Sequence, residues 1–83
     1  MRHATSERLD DIEPLLEQVR GINGIVEKTR GHFYRGPRGC LHFHEDGDDL
    51  YADVRIDTDD FERVRVTTKT EQRRLVTRLR AAS

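Results

Sequence analysis

Eighty-three residues, 34% hydrophobic, 37% charged and 6% aromatic with no Trp, suffice for one domain with a thin core, since domains average about 100–200 residues. Fifteen basic residues against sixteen acidic leave a net charge of −1, which excludes a global field that would draw nucleic acid or an anionic membrane. The single cysteine, Cys40, excludes an internal disulfide, and no apolar run nears the roughly 18 residues of a membrane span or forms a signal-peptide h-region, so a cytoplasmic location is expected.

Residues 1–5 are polar and expected to be flexible, and residues 6–83 are expected to form a single α+β domain. Leu9, Ile12, Leu16 and Val19 recur at spacings of three, four and three, with Leu15 beside them. That is one helical face, and Gly21 is a natural residue to end it. Pro14 either kinks this helix or sits in the first turn of its regular part. The pattern predicts one helix over 7–20, irregular in its first half. Residues 21–31 are punctuated by glycine and read as a connector, with Ile22, Ile25 and Val26 tucked under the core.

Four strand signals follow. Residues 32–35 form a short strand, closed by the turn sequence Gly36-Pro37-Arg38-Gly39. Residues 40–45 alternate, with Leu41 and Phe43 on one side and Cys40, His42 and His44 on the other. Asp46-Gly47-Asp48 marks a hairpin. Leu50, Ala52, Val54 and Ile56 then alternate with Tyr51, Asp53, Arg55 and Asp57. After a turn at 57–60, residues 61–67 alternate Val64 and Val66 with Arg63 and Arg65. Phe61 is out of phase with the valines, which predicts a bulge or a late strand start. Thr68 and Glu71 have the spacing of a capping box, and Gln72, Leu75, Val76 and Leu79 give an amphipathic helix to about residue 81. The order is α-β-β-β-β-α. The economical packing is an antiparallel sheet of three to four strands with an N-terminal and a C-terminal helix on one face.

The other face is the candidate functional surface. With Gly47-Asp48 as the hairpin loop, His44 faces Tyr51, His42 faces Asp53 and Cys40 faces Arg55. With Asp46-Gly47 as the loop, His42 faces Tyr51 and Cys40 faces Asp53. Both registers keep the two faces apart, so Cys40, His42, His44, Tyr51, Asp53 and Arg55 share the open face in either case.

His42 and His44 on one strand face lie about 7 Å apart, a spacing that suits two ligands of one zinc ion. His32 could supply a third ligand, and Asp53 or Cys40 a fourth or a supporting partner. The stretch 36–44 resembles the opening of the cupin metal motif, but aspartates stand at 48 and 49 where that motif has its glutamate. Plain cross-strand packing of the imidazoles with Tyr51 and Asp53 is the competing reading. Cys40 beside Arg38 and Arg55 could favour a thiolate, but a lone cysteine near a turn more often fills apolar space. Residues 44–60 are acid-rich, whereas 63–80 are basic. Arg73, Arg74, Arg78 and Arg80 form a helical stripe able to contact phosphates, with Glu71 in range to pair with Arg74.

Gly24-Ile25-Val26-Glu27, then Phe33-Tyr34-Arg35-Gly36-Pro37-Arg38-Gly39-Cys40-Leu41-His42-Phe43-His44-Glu45-Asp46-Gly47, place a Gly-x-x-Glu connector before a hairpin with an acidic-Gly turn. On these residues the chain is similar to small uncharacterised bacterial proteins with a His-Phe-His-Glu-Asp hairpin. More loosely, it resembles the first half of the MmcQ/YjbR-like family, whose members are longer by a strand and a helix. The resemblance implies a compact cytoplasmic bacterial α+β protein. It carries over no catalytic residue, and DNA binding is a proposal for those relatives.

The sequence thus leads to a non-enzymatic association module without a cofactor. It would form a homodimer or bind another protein through His42, His44, Tyr51, Asp53 and Arg55. The alternatives are a zinc-binding domain using His42, His44 and His32, and nucleic-acid binding through Arg73, Arg74, Arg78 and Arg80.

Overall fold

Pro14 decides how the N-terminal helical face is built. The computed structural model describes residues 1–83. Pro14 offers no N–H to the carbonyl four residues before it. The chain breaks at Ile12 (φ −116°, ψ 21°) into α1 (Ser6–Asp11) and α2 (Glu13–Arg20). Pro14 then sits in the first turn of α2, where no N–H is required. Thr5 caps α1, its hydroxyl accepting from the Arg8 N–H at 3.3 Å. The single helix predicted over 7–20 is therefore two helices. The apolar face survives the break, with Leu9, Ile12, Leu15, Leu16 and Val19 all buried.

The sheet is larger than the three to four strands read from the sequence. It consists of β1 (Arg2–His3), β2 (Val26–Thr29), β3 (His32–Arg35), β4 (Arg38–Asp46), β5 (Asp49–Val54) and β6 (Glu62–Arg65). All pairings are antiparallel, in the order β2-β3-β4-β5-β6. β1 pairs with the far end of β4, Arg2 opposite Glu45 and His3 opposite His44. Two expectations change here. The segment 1–5, expected to be flexible, contains a strand. The connector 21–31 contains β2, which turns into β3 at Gly31 (φ +79°), and Val26 is 58% exposed rather than tucked under the core.

The β4–β5 hairpin adopts one of the two registers allowed by the sequence. Asp46 pairs with Asp49 across a Gly47-Asp48 loop, which puts His44 opposite Tyr51 and His42 opposite Asp53. Gly47 takes φ +60°, a conformation that glycine adopts without strain. β6 begins at Glu62, so Phe61 lies outside it, in agreement with its broken phase.

After β6 comes α3 (Lys69–Ala81). Its capping box is formed, with Thr68 Oγ1 accepting from the Glu71 N–H and Glu71 Oε1 accepting from the Thr68 N–H. Leu75, Val76 and Leu79 join the helical residues above against Phe33, Leu41, Phe43, Leu50, Ala52, Val54 and Val66. Apart from Phe33, these sheet residues are the ones whose alternation marked the covered face. Helices at both ends of the chain thus cover the antiparallel sheet of an α+β fold. No helix is long and apolar enough to cross a membrane.

Candidate metal centre

Strand alternation and register together gather every histidine of the chain on the face away from the helices. β4 presents His42 and His44 on that face. β1 sets His3 opposite His44. The pairing of Phe33 with Leu41 brings His32 beside His42. The ring centroids of His3 and His44 are 4.6 Å apart, and those of His42 and His44 are 5.0 Å apart. His32 is 6.0 Å from His42 and 5.9 Å from His3. The sequence contains four histidines, so none lies elsewhere.

Asp53 of β5 enters the same cluster. His44 Nε2 lies 3.0 Å from Asp53 Oδ2 and 3.0 Å from His42 Nδ1, and His42 Nδ1 is 3.9 Å from Asp53 Oδ2. Two donors on one tetrahedral zinc, at bond lengths of about 2.0–2.1 Å, stand roughly 3.3–3.4 Å apart. The three separations bracket that value. His3 belongs to a second, overlapping group: one donor atom from each of His3, His42 and His44 lies within 4.8 Å of the others. A proton on His44 Nε2 would have to serve both the His42 nitrogen and the Asp53 oxygen.

The electrostatics favour the metal-ready protonation states. Burial lowers the pKa of both His42 and His44, against the opposing pull of Asp53, and the other histidines lower it further. Their imidazoles are then neutral near pH 7, as ligands must be. Arg63 of β6 holds Asp53 as a carboxylate, outweighing the effect of burial. Its guanidinium grips both oxygens, Nε to Oδ1 at 2.8 Å and Nη2 to Oδ2 at 2.9 Å. Phe61 packs edge-on against His42, with centroids 5.0 Å apart, and its ring lies 4.3 Å from the Arg55 guanidinium carbon.

The residues expected on the open face divide. His42, His44 and Asp53 converge on one point. Tyr51 is beside them, opposite His44. Arg55 lies over the Phe61 ring and donates twice to the Gly39 carbonyl. Cys40 is only 1% exposed, so it is not part of an open surface. Burial pushes its thiol pKa up despite Arg35 and Arg55, which suits a space-filling role. His32 shares the face, but His3 rather than His32 joins His42 and His44 in that second group. The reading of the sequence missed His3, Arg63 and Phe61.

Of the four C-terminal arginines, only Arg78 is paired with acids, and Arg73, Arg74 and Arg80 are exposed on α3. Arg78 donates to Asp57 and Glu62, and Arg73 to the Thr70 hydroxyl. Glu71 pairs with Arg65 rather than with Arg74. Arg74 lines a shallow cleft of about 350 Å³ with Arg65, Leu75 and Arg78. Arg80 is exposed near the end of α3.

Comparison with protein-family models, curated proteins and solved structures finds no match, and nothing there identifies an MmcQ/YjbR-like family.

Proposed function

We propose that this domain binds a divalent transition-metal ion, with zinc the best fit to the donors, through His42, His44, Asp53 and His3. One observation carries the reading: donor atoms of His42, His44 and Asp53 converge at 3.0, 3.0 and 3.9 Å. Neutral imidazoles with one carboxylate suit zinc or its neighbours in the first transition row, rather than calcium or magnesium. Three of the donors come from the β4–β5 hairpin, a rigid element, so little ordering is needed on binding.

The test is a titration of chelator-stripped protein with Co²⁺ and Zn²⁺. One ion per chain is expected, with the visible absorption of tetrahedral cobalt, and His44→Ala should abolish both. Zinc at about 100 times its Kd should stabilise the fold by roughly 2.7 kcal/mol. Absence of stoichiometric binding and of any thermal shift would leave the histidines as plain cross-strand packing.

A second reading, a non-catalytic association role for the same face, is favoured by Phe61, which remains 41% exposed beside His42. Sedimentation equilibrium with and without zinc separates the two. A metal-free dimer that loses its mass on Phe61→Ser supports association. A monomer in both conditions excludes a homodimer.

A further inference from the structure

Resting on the metal reading, we propose that the bound ion latches the N-terminal strand β1 onto the sheet, so that metal occupancy decides whether the outer edge of β4 is closed. β3 pairs with β4 only over Arg38–Leu41. Beyond Leu41 the same edge is completed by β1, opposite His44 and Glu45. β1 is two residues long, and neither of them is buried.

Apart from His3, this arm is tied by its two-residue pairing with β4, by Ala4 packed against the core, and by hydrogen bonds to Phe43 and Glu45. Ala4 N–H donates to the Phe43 carbonyl at 3.1 Å. The Glu45 carboxylate takes the side-chain contacts: Arg2 donates to Oε1 at 3.1 and 2.9 Å, and Thr5 donates to Oε2 through its N–H at 3.0 Å and its hydroxyl at 3.3 Å. The Arg2 side chain is 74% exposed and Met1 is 56% exposed, so water competes for the outer contacts.

His3 differs from these ties because its neighbours, His42 and His44, offer donor atoms within 4.8 Å of its own. His42, His44 and Asp53 are placed by the β4–β5 ladder whether or not β1 is present. An ion held by His42, His44 and His3, whose donor atoms lie within 4.8 Å of one another, cross-links arm to hairpin. Its binding free energy is then shared with docking of the strand, as in any coupled metal and folding equilibrium. Without the ion, a two-residue strand at the end of the chain is drawn from the low-stability end of the molecule. When it leaves, backbone groups of Phe43 and Glu45 lose their partner and His44 loses the ring stacked on it.

The experiment is amide hydrogen exchange of the full chain by NMR, stripped and then zinc-loaded, alongside calorimetric zinc titration. Zinc should slow exchange of the Ala4 amide at least about tenfold in the wild type. His3→Ala should still bind zinc, at least about tenfold more weakly, and its Ala4 amide should exchange equally fast with and without the ion. Arg2→Ala loosens the arm but keeps the ligand, so zinc should restore protection in that variant. Zinc binding that leaves Ala4 exchange unchanged in the wild type overturns the latch and spares the metal site. Equal zinc affinity in His3→Ala and wild type does the same. Failure of the wild type to bind zinc removes both proposals.

Discussion

Asp53 sits across the β4–β5 ladder from His42, yet its carboxylate is closer to His44, at 3.0 Å against 3.9 Å. The contact is diagonal. Diagonal neighbours of an antiparallel pair come within reach where the side chains lean along the strand, and Arg63 fixes the lean here by gripping both carboxylate oxygens. One short acid thus serves two imidazoles and a guanidinium.

Replacing that acid tests the centre directly. Asp53→Asn preserves the shape but removes the charge that Arg63 and an ion both need. Zinc affinity should fall at least about tenfold. Stability without metal should fall by about 1–3 kcal/mol, the range for hydrogen bonds to charged groups. Calorimetry and urea unfolding give the two numbers. Unchanged zinc affinity would take Asp53 out of the ligand set.

Arg63 acts on the ion in two opposed ways. Its charge repels a cation, whereas its fork orients the carboxylate. The side chain is 46% exposed, so solvent screens the charge, and the fork is the stronger effect. Arg63→Lys keeps the charge and loses the fork, so it should weaken zinc binding about tenfold. Arg63→Gln should behave alike. Tighter binding in Arg63→Gln alone would mean that repulsion dominates.

Much of this centre is legible in the sequence, for a definite reason. Alternation over 40–45 and 50–57 commits His42, His44, Tyr51 and Asp53 to one face, because a two-residue shift of register preserves faces. The lost phase at Phe61 is also readable, and in the structure Phe61 packs on His42 rather than in the core. His3 carries no such signal. Its strand is two residues long and contains no apolar side chain, so no period exists to detect. β2 fails similarly, because its only apolar residue, Val26, points to solvent. The Arg63–Asp53 pair depends on β6 lying beside β5, a matter of strand order rather than of local pattern.

Away from the centre, Glu27 links the helical layer to β2. Arg20 Nε donates to Glu27 Oε1 at 2.6 Å, and the Gly31 N–H donates to Oε2 at 2.9 Å. Burial pushes the Glu27 carboxyl up, but these donors outweigh it and hold the pKa below the usual value. A carboxylate depressed in the folded state contributes stability above its unfolded pKa of about 4.3, and that contribution disappears as pH falls through the lower folded value. Glu27→Gln should therefore cost about 1–3 kcal/mol at neutral pH and progressively less below about pH 4. Urea midpoints of both proteins across that range provide the check. A difference that persists unchanged in acid would assign the effect to packing.

His32 offers the sharpest contrast with His3. Its ring lies nearly parallel to that of His42, tilted by 16°, with centroids 6.0 Å apart. His32 is outside the group of donor atoms that lie within 4.8 Å of one another, which takes in His3, His42 and His44, and the backbone of β3 is paired on both sides, with β2 and with β4. On the proposed metal reading, His32 lines the site without holding the ion. His32→Ala should change zinc affinity by less than about threefold, below the tenfold range seen even for supporting partners, while His44→Ala removes binding. The cobalt spectrum of His32→Ala should match that of the wild type. If His32→Ala instead loses the ion and His3→Ala keeps it, the third imidazole comes from β3, and β1 is free of the metal.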